Sequence, residues 1–554
     1  MHSIEVVLAM LLAVVVSGYL VRTLPMSIPL PLVQIGLGAV IAGGFKRGVA
    51  LDPGLFFLLF LPPLLFLDGW RIPKTGLFRD RTVILELALG LVLFTVVCAG
   101  FLIHWLIPGM PLPVAFALAA IVSPTDPVAV SSIAARTPIP KRMMHILEGE
   151  SLLNDASGLV AFRFAVAAAI TGGFSLGAAS LTFLWLAIGG LAIGSGVTFG
   201  ISLAQRWLSR RFGEESGSPI LLNLLTPFGA YLAAEHLGAS GILAAVAAGI
   251  TMSYVELTGR ALATTRVQRA AVWDTAQFAL NGIVFVLLGE QLPWILVDAI
   301  SSVREMGSHP AWLAVYALGL SLGLAVLRFV WVWTSLRWTL FRASLRGERM
   351  RAPQWRMVLA ISMAGVRGAL TLAGVLTLPL ALPDGSPFPA RELSVFLAAA
   401  VILFSLLTAA FGLPRVLRHL AVPAADEAES DEEHARRRAA HAAVEAVERA
   451  LQRLELDASD AELYTSAATR VIASYQRLID TEPATGVDAA RLRRADRAER
   501  ELRLAALAAE RDTIFDLARR NQLSDEVSRK LVREIDLLDE RFRLALQSGN
   551  GSAP

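Results

Sequence analysis

Between residues 121 and 162 the chain sets hard oxygen ligands inside two stretches that are otherwise apolar. The first holds Thr125 and Asp126, bracketed by Pro124 and Pro127. The second holds Glu150, Ser151, Asn154 and Asp155. Glu150 and Asn154 stand one helical turn apart, as do Ser151 and Asp155, so a helix gathers all four on one side. Carboxylate, hydroxyl and amide oxygens are what a small hard cation prefers. Asp155, Ser151 and Thr125 are therefore the candidate metal-cation ligands. Asp155 falls near the middle of its apolar run, where burial disfavours the charged carboxylate. Such a carboxyl holds a proton or a cation in competition, and that competition suffices to couple two fluxes in opposite directions. Ionisable groups at bilayer depth usually mark an ion or proton path.

The prolines around Asp126 remove backbone donors and interrupt regular helix. Unwound backbone at membrane depth is tolerated beside a cavity or inside protein. Carbonyls released there, that of Thr125 among them, can bind a cation, and Asp126 can offset the positive N-terminal end of a half-helix. Gly365, Val366, Arg367, Gly368 and Gly374 predict a second interrupted helix. Three arginines fall within apolar runs: Arg163, Arg328 and Arg367. Each needs a partner, because an unpaired buried cation is strongly unfavourable, and Glu150 and Asp126 are the expected anions. Asp68 closes an apolar run beside Trp70 and Arg71 and is expected at the membrane interface. Glu86 and Glu290 are expected near span ends, with their heads reaching water.

Positioning these groups falls to long apolar runs. The chain has 554 residues, 55% hydrophobic and 18% charged, against roughly 25% charged in a soluble globular protein. Its formal net charge of +3 gives no sign of a nucleic-acid partner. The one cysteine, Cys98, lies in an apolar run, which excludes a disulfide framework and a thiolate metal site. No basic segment precedes the first run, which reads as a retained span. A helix needs roughly 20 residues to cross a bilayer, and about thirteen runs qualify. Their bounds are 4–22, 28–44, 54–70, 82–107, 112–133, 146–171, 179–205, 219–235, 239–256, 275–297, 311–341, 355–381 and 390–414. The run 54–70 contains Pro62 and Pro63 and is expected to be broken or tilted.

Basic residues concentrate in alternate loops: Arg22; Arg71, Lys74, Arg79 and Arg81; Arg136, Lys141 and Arg142; Arg206, Arg210 and Arg211; Arg260, Arg266 and Arg269; Arg346, Arg349, Arg351 and Arg356. By the positive-inside rule these face the cytoplasm, with the N-terminus outside and the C-terminus inside. Lys46 and Arg47 run against the pattern. From residue 421 the chain turns rich in Ala, Glu, Arg and Leu, which predicts a cytoplasmic helical tail over 421–554 behind a membrane domain over 1–420. Ser459 with Glu462 has capping-box spacing, Pro483 breaks the run, and Ser524 opens another helix.

The words SPTDPVAV (123–130), GESLLNDASGLVAF (149–162) and GVRGALTLA (365–373), with the looser LPPLLFLDGW (61–70), resemble those of the NhaP/NHE-type sodium/proton antiporters. The resemblance covers roughly residues 1–415. It implies an all-α polytopic fold with inverted repeats, two crossed unwound helices, and a homodimer with separate dimerisation and core domains. It implies that Asp155, beside Asn154, binds the cation or proton, that Glu150 partners the arginine at position 328, and that exchange is electroneutral. Relatives often carry Glu directly after the LPPLLF-like segment, where this chain has Leu67 and then Asp68. The partners so implied are protons, sodium (or lithium or potassium) and the lipid of the cell membrane, with no cofactor. A different reading of the same acids is an intramembrane aspartyl protease using Asp126 and Asp155, although neither Asp lies in a Gly-x-Gly-Asp segment.

Overall fold

The computed structural model describes residues 2–23, 28–44, 53–72, 80–127, 130–131, 139, 141–171, 176–212, 217–256, 263–345, 355–418, 426–453, 458–480, 487–520 and 525–549. The basic residues Lys46, Arg47, Lys74, Arg79, Arg136, Arg260, Arg346, Arg349 and Arg351, on which the expected orientation leans, lie outside the described residues, as do Pro483 and Ser524.

Among the described residues the chain is helical, apart from an isolated bridge between Ala381 and Pro387. It divides into two compact units, Met1–Ala421 and Val422–Pro554. The first unit contains α1 (His2–Thr23), α2 (Leu30–Gly44), α3 (Pro53–Arg71), α4 (Arg81–Leu106), α5 (Leu112–Val122), α6 (Lys141–Thr171) and α7 (Leu176–Phe212). It continues with α8 (Ser218–His236), α9 (Gly241–Glu256), α10 (Ala263–Glu305), α11 (Trp312–Leu345), α12 (Trp355–Met363), α13 (Ala369–Leu376) and α14 (Arg391–Leu417). Eight of the described helices are long and apolar enough to cross a membrane by themselves, and α2, α5 and α9 are shorter apolar helices. The apolar runs of the sequence fall on these helices, because a backbone in lipid must satisfy its polar groups internally.

Three expectations about breaks resolve differently. α3 runs unbroken through Pro62 and Pro63. Buried Phe60, Leu61, Leu65 and Phe66 pack its sides, and packing holds the helix although proline removes two amide donors. α5 stops at Val122, and residues 123–126 are not helical. Likewise α12 ends at Met363 and α13 begins at Ala369, with non-helical backbone between them.

Two groups of helices pack within this unit. α4, α5 and α6 pack with α11, α12, α13 and α14, whereas α1, α2 and α3 pack with α7, α8, α9 and α10. In the second group α2 packs extensively on α10, and α3 on α9. Reciprocal glycines build both. A Cβ on Gly38 would overlap the Val286 carbonyl of α10, and one on Gly289 that of Ile35 on α2. A Cβ on Gly69 would meet Val246 O of α9 at 2.6 Å, and one on Gly249 would overlap Phe66 O on α3. Small residues let membrane helices approach backbone to backbone. The two crossings exchange under a shift of seven helices, as an inverted repeat requires.

The second unit contains α15 (Asp426–Arg453), α16 (Ala458–Asp480), α17 (Val487–Arg519) and α18 (Asp525–Gly549). α15 pairs with α16, and α17 with α18. α16 opens at Ala458, so Ser459 sits inside its first turn and not at the cap position. Arg511 of α17 bridges Asp536 at 2.8 Å and Asp539 at 3.1 Å on α18, and Arg543 also pairs with Asp539. Arg543 and Arg511 together hold the Asp539 carboxyl below the ordinary carboxylate range.

Candidate functional site

The two interruptions lie against each other. The Asp126 amide donates to Val366 O at 2.7 Å, joining the unwound backbone after α5 to that between α12 and α13. Arg367 sits at the junction, 6% exposed. Its Nε donates to Val122 O at 3.0 Å and its Nη1 to Gly365 O at 2.6 Å, while its backbone amide donates to Ser405 Oγ at 3.0 Å. Val122 ends α5, and Gly365 follows the end of α12. The guanidinium thus meets the negative ends of two half-helices. Carbonyl oxygens accept these guanidinium hydrogen bonds, where the sequence offered Glu150 or Asp126 as the anion. Asp126 lies over the opposite kind of terminus: a Cβ on Gly368, the cap residue before α13, would overlap its carboxylate. Each break therefore brings a side chain of the sign its helix end attracts.

α6 carries the remaining acids. Glu150 is 1% exposed and Arg328 of α11 is 2% exposed. Arg328 donates to both Glu150 oxygens, at 2.5 and 2.9 Å. Thr125 Oγ1 donates to Glu150 Oε1 at 3.0 Å, and Asn154 Nδ2 donates to Thr125 Oγ1 at 3.0 Å. A carboxylate only accepts, so the threonine hydroxyl must give its hydrogen to Glu150 and take one from Asn154. That order fixes the amide, and Asn154 Oδ1 stays buried without a hydrogen-bond partner among the described residues.

Thr125, Asp126, Ser151 and Asp155 line a cavity of ≈ 560 Å³, counting its open mouth. Asp68 of α3, Gln277 and Asn281 of α10, and Thr371 of α13 line it too. Glu150 and Asn154 stand behind this wall rather than on it. The cavity thus lies between the two helix groups, with α5, α6 and α13 on one side and α3 and α10 on the other. Among the described residues, the side chains of Asp155, Asp68, Ser151 and Asn281 take part in no hydrogen bond. Among them no three or more His, Cys, Asp or Glu converge tightly enough to hold a metal ion on their own.

Several expectations need correction. Arg163 is 44% exposed and pairs with Glu235 of α8 at 3.2 Å, not with Glu150 or Asp126. It lies toward the end of α6, one face of which is open to the surroundings, so no buried anion is required. Asp68 lines the cavity rather than ending at the interface, because α3 turns that side toward α6 and α10. Glu290 is 1% exposed within α10, where the Gln291 amide donates to it at 2.6 Å. Glu86, by contrast, does lie near the start of α4 and is partly exposed; it opens a π-helical segment (Glu86–Leu91) and accepts from Ser335 Oγ at 2.5 Å, while its carbonyl accepts from Trp331 Nε1 at 3.2 Å. Sequence reading passed over Gln277 and Asn281, although a polar pair one turn apart in an apolar helix is itself a signal.

A family profile described as "Sodium/hydrogen exchanger, transmembrane" matches residues 9–419. The chain is 43% identical to a protein of Escherichia coli K12 described as an uncharacterized Na(+)/H(+) exchanger, over 96% of this chain and 97% of that one. It is 44% identical to the sodium, potassium, lithium and rubidium/H(+) antiporter of Bacillus pumilus, over 79% of this chain and 65% of that one. Its fold matches the sodium proton antiporter MjNhaP1 of Methanocaldococcus jannaschii, with a TM-score of 0.54 at 17% identity, covering 76% of this chain and 99% of that structure. The match spans both acids of the protease reading and overturns it. With its helical membrane fold, two joined breaks and acid-lined cavity, the chain belongs to the sodium/hydrogen exchanger family: it is a cation/proton antiporter, a secondary transporter and not an enzyme.

Proposed function

We propose that the chain exchanges sodium, or another monovalent cation, for protons at Asp155 by alternating access. The observation that carries this reading is the Asp155 carboxylate on the cavity wall, with no hydrogen bond taken from any described residue. A carboxylate in that condition gains from either a proton or a cation and cannot hold both. Ser151 and Thr125 supply neutral oxygens beside it. Glu150, Arg328 and Asn154 hold α6 against the α5 break. Asp126 and Arg367 steady the ends of the half-helices.

One titrating acid working against one cation gives one-for-one, electroneutral exchange. The alternate basic loops favour a cytoplasmic C-terminus in the cell membrane, with residues 1–420 as transport domain and 421–554 as cytoplasmic tail. The homodimer implied by the family words belongs to the same proposal. The Bacillus pumilus antiporter is described as carrying sodium, potassium, lithium and rubidium, which favours a broad monovalent range here.

The test is flux in sealed proteoliposomes with a pH dye inside. Sodium added outside should drive proton movement in wild type, none in Asp155→Asn, and the rate should not respond to an imposed membrane potential. Wild-type exchange by Asp155→Asn would remove that residue from the mechanism. A clear potential dependence would reject the one-for-one count.

A further inference from the structure

The two amides on the α10 wall of the cavity differ in how they are committed. Gln277 and Asn281 stand one turn apart on α10 and both line the cavity. Gln277 is held: Arg71 Nη1 donates to its Oε1 at 2.8 Å, while Arg71 Nη2 donates to Asp274 Oδ1 at 2.5 Å. With one lone pair of its oxygen engaged by a cationic donor, Gln277 is the less available of the two as a cation ligand, while its N–H donors suit the carboxylates of the cavity. Asn281 makes no such bond among the described residues. Its carbonyl oxygen can turn toward the cavity, where Asp155, Ser151 and Thr125 face it from the α5–α6 side.

We propose that Asn281 is a specificity-determining ligand, its Oδ1 coordinating the monovalent cation held by Asp155 from the α3–α10 side of the cavity. The assignment rests on the reading of Asp155 as the cation and proton site. Charge and size are then divided between the walls. Asp155 supplies the negative charge that every monovalent cation needs. Asn281 supplies one neutral carbonyl dipole whose reach depends on ion radius, and the number and field strength of such dipoles tune discrimination between cations. The proton needs no such ligand, so proton binding at Asp155 does not depend on Asn281.

Half-saturating concentrations for lithium, sodium and potassium, measured by proton movement in proteoliposomes at several pH values, test this. Asn281→Leu keeps the side-chain volume and removes the oxygen. It should raise the half-saturating concentration of the preferred cation about tenfold, the size of a lost 1.4 kcal/mol contact. The least preferred cation should be much less affected, so that the ratio between ions collapses, while the pH at half-maximal rate under saturating cation stays in place. Asn281→Ser keeps a smaller oxygen ligand and should fall between, and it carries the same comparison if Asn281→Leu does not fold. Unchanged ratios in both variants overturn the assignment, whether all concentrations stay put or all rise by one factor. Retained exchange in Asp155→Asn, run alongside, overturns the site reading and this assignment with it.

Discussion

Glu150 and Asp155 are two acids of one helix, little more than a turn apart, and they live in opposite conditions. Glu150 is sealed in, gripped at both oxygens by Arg328 and bonded again by Thr125. Asp155 faces the cavity and takes no hydrogen bond from the described residues. The chemistry of the side chains is the same, so the difference is environment alone. A buried carboxylate with an excellent bidentate partner has no reason to exchange it, because desolvation has already been offset by the pair. A carboxylate without partners retains its appetite for a proton or a cation. In the proposed mechanism the first acid belongs to the framework and the second is the one that transport uses. The same division separates Arg367, held by helix-end carbonyls, from Arg163, which meets Glu235 with nearly half its surface open.

Breaking the framework side should give the largest loss. Arg328→Ala leaves Glu150 buried without its cation and should cost about 3–5 kcal/mol of stability. It should appear as a steep fall in Tm and in the yield of monodisperse protein, and a variant as stable as wild type would dissolve the contrast. Gly368→Ala forces a methyl into the Asp126 carboxylate. Overpacking of this kind costs about 1–3 kcal/mol, so thermal unfolding should begin earlier, with proton movement impaired because the two breaks can no longer sit together. Thr125→Val sharpens the comparison, since Thr125 touches both sides: it donates to Glu150 and lines the cavity. About 1 kcal/mol of stability should go with the hydrogen bond, and the half-saturating cation concentration should rise. A change in stability alone would confine Thr125 to the framework.

The smallest effect belongs to the ion pairs of the second unit. Asp539 is held below the ordinary carboxylate range, first by the Arg543 hydrogen bond and then by Arg511. A folded-state value lowered in this way adds stability above the ordinary carboxylate range and loses it as pH falls through the lowered value. Limited proteolysis of the full protein at descending pH should show the α17–α18 pair opening only in that acid window, and Arg511→Ala should move the window slightly upward. Equal protection at all pH values would show that these ion pairs contribute nothing measurable.

Much of the site is legible in the chain because it is local. Pro124 and Pro127 announce the first break, the glycines around Arg367 announce the second, and turn spacing sets Glu150, Ser151, Asn154 and Asp155 on one side of α6. The rest depends on which helix lies opposite. Nothing near Arg163 in the chain points to Glu235. Asp68 looks interfacial from its place at the end of an apolar run, and only the packing of α3 turns it inward. The π-helical segment at Glu86 has no periodic signature, since its carbonyls answer to Trp331 of α11 and Ser157 of α6. Gly38, Gly69, Gly249 and Gly289 read as ordinary small residues until the crossings that require them are seen.

The central claim is that a cation displaces a proton from Asp155. It is tested most directly by titrating sodium into the purified protein in a weakly buffered detergent solution and counting the protons released. About one proton should be released per sodium bound in wild type and none from Asp155→Asn, with Glu150→Gln, if it folds, still releasing its proton. Undiminished release from Asp155→Asn, or sodium binding to wild type with no proton released, would contradict it.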